Sequence, residues 1–434
     1  MSNYSIVGGK TLHGTITTNT SKNAAVVLLN AALLNRGQTT LKNVPHIEEV
    51  NRIMEVLISI GVDATWRGQH DIVIKPPKKL QLDKLNVQAA IRTRSILFWL
   101  GIMVHWQKKF RVPQPGGCRL GTRTVRPHLF ALENFGIAIK TFAKYFEVTV
   151  GNLKAGGEIV LYESGDTVTE NAILAAAKTP GTTILKLASS NYQVQDLCFY
   201  LQKLGVKISG IGSSTITVVG RKNINKNVTY YLTEDPIESM LFITIAATTK
   251  SALRINRCPI DFLNLELLKL EKMGFKYKIL KTYKARNGHA TLVDIQTYPS
   301  QLTALEEKIY ARPYPGINID NLPFFVPIAT QAKGQTLIFD WVYENRAIYY
   351  TELNKLGADV ELADAYRAYV TGPSRLKGAD IICPPALRPS TIILVAMLAA
   401  AGKSKLHSIY PIERGYEDLS SRLAAIGANI TRID

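Results

Sequence analysis

One glycine-rich loop combines a cysteine with several arginines, and this combination is the strongest chemical signal in the sequence. The loop reads QPGGCRLGTRTVRPH and contains Cys118, with Arg119, Arg123 and Arg126 close by. Cations beside a thiol lower its pKa, which increases the thiolate fraction and therefore the reactivity of the cysteine. The loop therefore predicts a reactive thiol at Cys118. The remaining cysteines are expected to be small buried residues: Cys198, Cys258 and Cys383.

Polar or charged residues open six apolar segments, in a pattern that indicates anion binding. These residues are Lys22, Asn23, Arg94, Glu170, Asn171, Glu238, Asp320 and Arg388. Helix N-termini carry unpaired N–H groups and attract anions, whereas a lysine or arginine there is unfavourable for the helix alone. Lys22 and Arg94 therefore favour a bound anion nearby. Asn171 and Asp320 are equally consistent with an ordinary helix cap.

Two loops in the second half of the chain carry a further set of charged side chains. One reads YENR and ends at Arg346, and the other reads IERGYE and contains Arg414. The histidines show no metal-ligand spacing, no CxxC pair occurs, and neither a Walker A sequence nor GxGxxG is present. Bound metal, ATP and dinucleotides are therefore not indicated, and His128 is expected to be structural.

A phrase of similar composition recurs six times, with an apolar helix end followed by glycine and a strand. Examples are LISIGVDAT, LQKLGVKIS and LNKLGADVE, and the repeat period is about 70 residues. The six glycines are Gly61, Gly136, Gly205, Gly274, Gly357 and Gly427. Glycine suits the position after a helix end because left-handed backbone geometry costs it little. The sequence therefore predicts six repeated units.

Each repeat also contains a second helix that is apolar on nearly every side. Examples are SKNAAVVLLNAALL and RPSTIILVAMLAAA, and a helix without a polar face must be buried. Each unit reads as helix, strand, loop, helix and strand, with further strands before the next unit. The sequence thus predicts an α/β fold with two domains of three units each, built around buried helices. The polar segment from Lys226 to Tyr230 is the predicted boundary.

Composition limits the classes of partner. The chain has 434 residues, 46% of them hydrophobic, and a net charge of +18. A positive field attracts anions, but there is no basic block of five or more residues and no aromatic RNA-binding signature. The longest apolar run, Ile392 to Gly402, is too short to span a bilayer. The scattered lysines are consistent either with an ordinary solvated surface or with a cleft that collects anions. We expect a cytoplasmic protein without nucleic acid or membrane as a partner.

Four of these motifs together resemble the enolpyruvyl transferases. They are SKNAA at 21–25, PGGC at 115–118, YENR at 343–346 and IERGYE at 412–417. The similarity is greatest to the members that act on UDP-N-acetylglucosamine in peptidoglycan synthesis, and it runs from Ile6 to Ile433. The resemblance implies two inside-out α/β barrels with the active site between them. The first would comprise residues 22–229, and the second residues 1–21 plus 230–434.

The resemblance also implies roles for the matching residues. The cations that would hold phosphoenolpyruvate or stabilise its charged intermediate are Lys22, Arg123 and Arg414, with Arg346 and Arg388 completing the shell. Cys118 would protonate the enol carbon and be alkylated by the epoxide fosfomycin, while Asp320 would face the acceptor hydroxyl. The expected acceptor contacts are Asn23, Arg94, Val125 and Val342. The implied reaction adds the hydroxyl and eliminates phosphate through a tetrahedral intermediate, with neither a metal ion nor an organic cofactor.

Several positions depart from the family pattern. Ala386 stands where the family has an aspartate before Leu-Arg, so an acidic group near the reacting centre is missing. Arg126 replaces an aspartate of the uridine loop, and Glu163 replaces a cation near the diphosphate. The segment 189–193 lacks the usual acidic residues. The phosphoenolpyruvate half of the motif set is therefore better preserved than the nucleotide half.

Three functions stay open on the sequence alone. The first is transfer of the enolpyruvyl group to UDP-N-acetylglucosamine. The second is transfer to a different acceptor, such as a uridine nucleotide, as in the nikkomycin-type enolpyruvyl transferases. The third is chemistry without phosphoenolpyruvate, as in RNA 3′-phosphate cyclases or a catalytically inactive nucleotide-binding relative. Cys118 beside Arg123 argues against the third.

Overall fold

The computed structural model describes residues 2–116 and 124–433, which divide into two compact units. Unit A comprises the described residues between 20 and 233, and unit B comprises residues 2–19 and 234–433. The sequence placed the boundary four residues before the second division point. Strand Val228–Tyr231 lies on the unit A side because it pairs in parallel with Thr39–Lys42 of that unit.

Strands β1 and β2 open the chain in unit B, and unit A follows. The first two strands are β1 Asn3–Gly8 and β2 His13–Thr17. The α-helices of unit A are α1 Lys22–Ala31, α2 Glu48–Ser59, α3 Val87–Ile91, α4 Trp99–Ile102, α5 Arg126–Glu133, α6 Asp166–Ala177 and α7 Tyr192–Lys203. Its 3₁₀ helices are Ala32–Leu34, Leu82–Lys84, Arg94–Phe98 and Met103–His105. Its strands are β3 Thr39–Lys42, β4 Asp63–Arg67, β5 Asp71–Lys75, β6 Lys109–Pro113, β7 Ile137–Thr141, β8 Tyr145–Val150, β9 Gly157–Val160, β10 Gly181–Lys186, β11 Lys207–Ser209, β12 Thr215–Gly220 and β13 Val228–Tyr231.

Unit B contains the remaining elements. Its α-helices are α8 Pro236–Thr248, α9 Asn264–Lys272, α10 Phe325–Ala329, α11 Leu387–Ala399, α12 Tyr410–Glu413 and α13 Leu419–Ala424. Its 3₁₀ helices are Ile260–Phe262, Leu322–Phe324 and Ala347–Leu356. Its strands are β14 Ala252–Pro259, β15 Lys276–Lys284, β16 Thr291–Tyr298, β17 Leu302–Thr303, β18 Ile309–Tyr310, β19 Ala332–Phe339, β20 Asp359–Leu362, β21 Arg367–Gly372, β22 Asp380–Ile382, β23 Gly402–His407 and β24 Asn429–Ile433.

The sheets repeat one pairing pattern, as the sixfold sequence repeat predicts. The described residues of unit A form sheets β13-β3-β5-β4, β6-β8-β7 and β9-β10-β12-β11. Those of unit B form sheets β2-β14-β16-β15, β17-β19-β21-β20 and β22-β23-β1-β24. Five of these six begin with a parallel pair and continue with two antiparallel pairs. Among the described residues, β6-β8-β7 has no outer parallel strand.

The six repeat glycines adopt the backbone geometry that their position predicts. Each follows the outer helix of its unit with a φ between 79° and 93°. A side chain at these positions would be strained, because L-residues rarely adopt left-handed geometry. The glycine thus ends each outer helix and turns the chain into the next strand, which confirms the predicted helix–glycine–strand order.

Asn171 interrupts the second buried helix, which the sequence predicted as continuous. Its Nδ2 donates to the Leu97 carbonyl oxygen at 3.0 Å, and its Oδ1 accepts from the Gly101 backbone N–H at 3.1 Å. These two backbone groups would bond each other in an unbroken α-helix. The inserted amide therefore splits the segment into 3₁₀, α and 3₁₀ parts, and it also contacts His128 Nδ1 at 2.9 Å. Asn171 and His128 are thus structural residues of unit A.

Two further buried helices differ from the prediction at their ends. Helix α6 begins at Asp166, so Glu170 lies one turn inside it rather than at its start. An acidic residue is favourable in a first helical turn, which explains the earlier start. In unit B the predicted fifth helix is only Phe325–Ala329 after a 3₁₀ turn, because Pro327 cannot donate a backbone hydrogen bond.

Candidate active site

Asp320, Arg388 and Tyr416 form one hydrogen-bonded group in unit B. Arg388 Nη2 donates to Asp320 Oδ2 at 3.2 Å, and Nη1 donates to the Tyr416 hydroxyl oxygen at 2.5 Å. Arg388 is only 6% exposed, and Asp320 is half-buried. Burial opposes the charge of Arg388, but Tyr416 and Asp320 raise its pKa above the usual value. The group therefore holds a fixed positive charge beside a carboxylate.

Ala386 precedes this arginine and leaves its helix without a side-chain cap. It is the N-cap residue of α11, with extended backbone geometry and no side-chain hydrogen bond to the helix. The first turn of α11 contains no acidic residue. The missing acid noted in the sequence thus leaves the positive end of α11 and Arg388 without a carboxylate from this position.

Two further acidic residues of unit B, Asp235 and Glu238, form structural contacts. Asp235 caps α8 by accepting from the Ile237 N–H at 2.8 Å. Glu238 pairs with Arg422 at 2.7 Å and also accepts from the Asn19 backbone N–H at 2.6 Å. Glu238, which the sequence singled out at a helix start, therefore joins α8, α13 and the segment after β2.

Arg346 is fully enclosed within unit B rather than displayed on a loop. It is 0% exposed, and its Nε and Nη2 donate to the two carboxylate oxygens of Asp340 at 2.5 and 2.7 Å. Tyr350 donates to the same carboxylate at 2.5 Å. Burial opposes the charge of Arg346, but Tyr350 and Asp340 raise its pKa above the usual value. These contacts give Arg346 a structural role, and its expected contact with phosphoenolpyruvate stays a prediction.

The remaining unit B candidates lie near the protein surface. Val342 follows β19 and is 37% exposed. Arg414 is half-buried at the end of the short helix α12, where its backbone N–H donates to the Tyr410 carbonyl. Both positions are accessible to a ligand, and their expected contacts remain predictions.

Unit A brings a different set of polar residues to the start of α1. Ser21 caps this helix by accepting from the Ala24 N–H at 3.2 Å, and its first turn contains Lys22 and no acidic residue. Asn23 Nδ2 donates to the Tyr192 hydroxyl oxygen at 3.0 Å. Lys22 and Asn23 are both half-buried. The structure therefore places Lys22 in the first turn of a helix, which is the position that the anion-binding interpretation requires.

Other unit A candidates occupy separate helix starts. Arg94 is half-buried at the first position of a 3₁₀ helix that Thr93 caps. Val125 is the N-cap residue of α5, and Arg126 is its exposed first residue. Glu163 is exposed. Cys118 and Arg123 lie outside the described residues, so their predicted roles stay predictions.

Sequence reasoning missed two partners in these groups. Asp340 directly follows strand β19, at the end of the segment GQTLIFD, and neutralises an arginine six residues later. Tyr416 lies inside the IERGYE motif, but its contact with Arg388 joins positions 28 residues apart. An acid at the end of an apolar strand, followed closely by an arginine, was the available signal for Asp340.

Glu170 is a buried carboxyl group to which no described residue forms a hydrogen bond. It is 1% exposed, and neither of its oxygens has a hydrogen-bond partner among the described residues. Burial, and then the nearby Asp166, raise the pKa of Glu170 well above its usual value. The folded protein therefore holds this side chain uncharged, whereas the unfolded chain ionises it above about pH 4.5.

We expect the stability advantage of the Glu170→Gln variant over the wild type to increase as the pH rises. Because the pKa of Glu170 is raised in the folded state, wild-type stability falls as the pH increases above the unfolded-state value. Glutamine removes that loss, so its Tm advantage should be larger at pH 8 than at pH 5. Calorimetric Tm values at the two pH values test this, with the exposed Glu133→Gln as control. An equal Tm difference at both pH values would contradict it.

Comparison with known sequences identifies the family. A sequence profile of EPSP synthase (3-phosphoshikimate 1-carboxyvinyltransferase) matches residues 6–423. The chain belongs to the EPSP synthase family. As a family member it shares the enzyme class of its relatives, the 1-carboxyvinyl transferases, and the resemblance seen in the sequence is confirmed.

Curated relatives of this EPSP synthase family member match nearly its whole length. UDP-N-acetylglucosamine 1-carboxyvinyltransferase of Bradyrhizobium diazoefficiens is 33% identical, covering 99% of this chain and 98% of that protein. The enzymes of the same name from Treponema denticola and Helicobacter pylori are 33% and 30% identical. They cover 99% of this chain and 99% and 98% of their own lengths, respectively.

Solved structures share the fold of this family member. The enolpyruvyl transferase NikO from Streptomyces tendae superposes with a TM-score of 0.84 at 23% identity, over 99% of this chain and 98% of that chain. An EPSP synthase from Acinetobacter baumannii superposes with a TM-score of 0.75 at 17% identity, over the full length of both. These similarities confirm a mixed α/β fold of the enolpyruvyl transferase type.

The described part of this family member shows neither a metal-binding cluster nor a membrane-spanning helix. Within residues 2–116 and 124–433, no group of three or more His, Cys, Asp or Glu side chains is arranged to hold a metal ion. In the same ranges, no helix combines the length and hydropathy that crossing a membrane requires.

Proposed function

We propose that this enzyme transfers the enolpyruvyl group of phosphoenolpyruvate to the 3′-hydroxyl of UDP-N-acetylglucosamine and releases phosphate. The observation that carries the proposal is the similarity, along 99% of the chain, to relatives that bear the name of that reaction. The same relatives favour this acceptor over another nucleotide or sugar. Phosphoenolpyruvate and a nucleotide sugar are then the small-molecule partners, and the expected cytoplasmic location and absence of nucleic acid remain predictions.

The chemistry assigns distinct tasks to the candidate residues. The acceptor oxygen forms a bond to C2 of phosphoenolpyruvate while a proton adds to C3, and Cys118 is the proposed donor of that proton. Asp320 is the proposed acceptor of the hydroxyl proton. Loss of a C3 proton then expels phosphate and restores the double bond. Both proton transfers are general acid–base steps, which contribute about 10²–10⁴-fold each.

Fixed cations are proposed to stabilise the phosphate and carboxylate of the substrate. Lys22 at the start of α1 and Arg414 after α12 are half-buried, which suits contact with a small anion. Arg123 is proposed to act with them. Preorganised charges stabilise a transition state because they need no reorientation during the reaction.

The Arg388–Asp320 ion pair supports the proposed role of Asp320. At 3.2 Å the guanidinium fixes one carboxylate oxygen, and Tyr416 holds the guanidinium from its other side. A base must be oriented toward the proton that it removes. Arg388 is therefore a positioning residue for Asp320 in this proposal. Asn23, Arg94, Val125 and Val342 are the proposed acceptor contacts, and Arg346 supports the fold.

We further propose that each unit is an inside-out α/β barrel, with units A and B as the two domains. The arrangement of sheets and helices within each unit supports this proposal. Both contain three sheets of the repeated kind around buried helices: α1, α4 and α6 in unit A, and α8, α10 and α11 in unit B.

Two exposed residues favour weak binding of the acceptor. Arg126 and Glu163 both lie on the surface of unit A, so their charges are available to a nucleotide. Glu163 opposes a diphosphate, and Arg126 donates where the family accepts. At a partly exposed site, each mismatch costs on the order of 1 kcal/mol. An alternative uridine-nucleotide acceptor with one phosphate would avoid part of this repulsion.

We expect phosphate release from phosphoenolpyruvate to require UDP-N-acetylglucosamine. Continuous phosphate detection with and without this acceptor, and with uridine monophosphate instead, tests the proposal. The Asp320→Asn variant should lose about 10²–10⁴-fold in kcat because the proton acceptor is gone. Asp359→Asn, which alters an exposed carboxylate on β20, is the matched control and should leave kcat unchanged.

Either of two results would contradict the proposal. Phosphate release that is indifferent to UDP-N-acetylglucosamine but stimulated by uridine monophosphate would support the alternative acceptor. No release with any nucleotide or sugar would argue against enolpyruvyl transfer. Calorimetric titration of UDP-N-acetylglucosamine tests the weak-binding expectation, which a low-micromolar dissociation constant would refute.

A further inference from the structure

Four cations from three segments lie at or beside the C-terminal ends of helices α6 and α7 in unit A. We call Arg36, Lys178, Arg221 and Lys226 the Lys178 cluster. The backbone joins their segments directly: Arg221 N–H donates to the Ala177 carbonyl, and Arg36 N–H donates to the Ile224 carbonyl, both at 2.9 Å. The loop that carries Arg221 and Lys226 therefore lies across the end of α6 and beside the turn at Arg36.

Lys178 is the most enclosed cation of the cluster. It is the C-cap residue of α6 and is 9% exposed. Burial, and then the positive charge of Arg36, lower the pKa of Lys178 to about 8. The neighbouring His105 adds no charge at pH 7, because burial and Lys178 lower its pKa to about 4. Lys178 thus lies in surroundings that oppose its charge.

Arg36 is held in a fixed orientation beside this lysine. Its guanidinium carbon lies 3.5 Å from the centroid of the Trp106 ring. Nη1 donates to the carbonyl oxygens of Pro77 and Lys78 at 3.3 and 3.1 Å. These contacts orient the guanidinium without neutralising it, because a carbonyl and an aromatic face carry no net charge.

The cationic groups of Arg221 and Lys226 both lie close to Gly205. A Cβ atom at Gly205 would lie 2.6 Å from Arg221 Nη1 and 3.2 Å from Lys226 Nζ. The absence of a side chain at Gly205 lets both cationic groups approach the end of α7. A helix C-terminus attracts one cation in its last turn, but this accounts poorly for four converging charges.

The Lys178 cluster has no acidic counterpart in the part of the chain that the structure describes. None of its four cations makes an ion pair there with an aspartate or glutamate. Buried and half-buried charges are normally paired, because the removal of a charge from water is costly without a counterion. The cluster therefore combines fixed positive charge, partial enclosure and a missing anion.

We propose that the Lys178 cluster binds a small oxyanion, namely phosphate or the phosphate group of a metabolite. Arginine and lysine are the side chains that bind phosphate oxygens, by directed N–H groups and by point charge respectively. The enclosure of Lys178 favours a compact anion over an extended polymer, which would contact the exposed Arg221 and Lys226 only. Within unit A, Lys178 lies at the C-terminal end of α6, whereas Lys22 lies at the start of α1.

Phosphate-dependent thermal stability tests this proposal. Tm is measured for the full chain over a series of inorganic phosphate concentrations at pH 7, with ionic strength held constant by sodium chloride. A ligand that binds only the folded state raises Tm with its concentration. Phosphate should raise the Tm of the wild type, and Lys178→Met should weaken this response about tenfold or more. Lys178→Arg keeps the charge and should retain it.

Two control variants separate this site from other sources of binding. Lys144→Met removes an exposed charge elsewhere in unit A and should respond to phosphate as the wild type does. Lys22→Gln removes a proposed catalytic cation, so a response that survives in this variant does not depend on Lys22. In phosphate-free buffer, Lys178→Met should be at least as stable as the wild type, because an unpaired enclosed charge has been removed.

Three results would overturn the proposal. An equal phosphate response in the wild type and Lys178→Met would show that the cluster does not hold the anion. Tight binding of a single-stranded RNA with steep salt dependence, without any phosphate response, would instead indicate a polymer on this surface. Loss of the response in Lys22→Gln but not in Lys178→Met would assign all phosphate binding to the catalytic residues.

Discussion

The Asp340→Ala variant is expected to lose about 3–5 kcal/mol of unfolding free energy, because it leaves Arg346 as an uncompensated buried charge. Arg346 is fully enclosed and makes both of its ion-pair hydrogen bonds with Asp340. Tyr350 would also lose the acceptor of its hydroxyl group. Urea unfolding followed by circular dichroism measures the change. A loss this large should be visible as a separate early transition of unit B.

The control variants distinguish a buried charge from a general effect of losing an aspartate. Asp364 pairs with Arg367 at the surface, so Asp364→Ala should have a far smaller effect. The double variant Asp340→Ala/Arg346→Met removes both charges and should recover part of the stability. If the single and double variants unfold at the same urea concentration, the buried charge is not the cause.

The Cys118→Ser variant is expected to lose most of its activity, about 10²–10⁴-fold in kcat, because a hydroxyl is a far weaker proton donor at neutral pH than the thiol. It should also resist fosfomycin, the epoxide that alkylates this cysteine in the enolpyruvyl transferases. Steady-state phosphate release measures the first effect. Intact-mass and peptide mass spectrometry after fosfomycin treatment measures the second.

The other three cysteines provide internal controls for the adduct. All are buried, and burial raises the pKa of Cys258 to about 12 and of Cys383 to about 11. Burial also raises the pKa of Cys198 above its usual value. Because the thiolate is the reacting form, these residues should remain unmodified at neutral pH. An adduct on one of them, or no adduct on the wild type, would contradict the assignment of Cys118.

The repeat architecture could be predicted from the sequence because it is encoded locally. Glycine after an outer helix and a helix without a polar face each constrain their own segment, whatever lies around them. The pairing within each sheet then follows from the order of strands in the repeat. Gly205, for example, has its predicted left-handed geometry because the residue itself permits it.

Side-chain partners across long separations could not be predicted in this way. Asn171 breaks a helix 70 residues earlier by bonding Gly101, and nothing in the earlier segment encodes that interruption. Asp320 and Arg388 were both identified as polar residues at helix starts, but their contact spans 68 residues. A motif indicates which residues are available for chemistry, whereas tertiary packing decides which of them touch.

The sheet β22-β23-β1-β24 has a consequence for synthesis on the ribosome. Its strand β1, made first, lies between β23 and β24, made last: Tyr4 pairs with both Leu406 and Arg432. The described residues of unit A all lie between 20 and 233, so unit A can form its core while the chain is still emerging. Strand β1 stays unpaired on both sides until β23 and β24 have left the exit tunnel. Because synthesis proceeds from the N-terminus, unit A can fold before unit B. We expect chaperones to stay bound longest to strand β1 of the nascent chain.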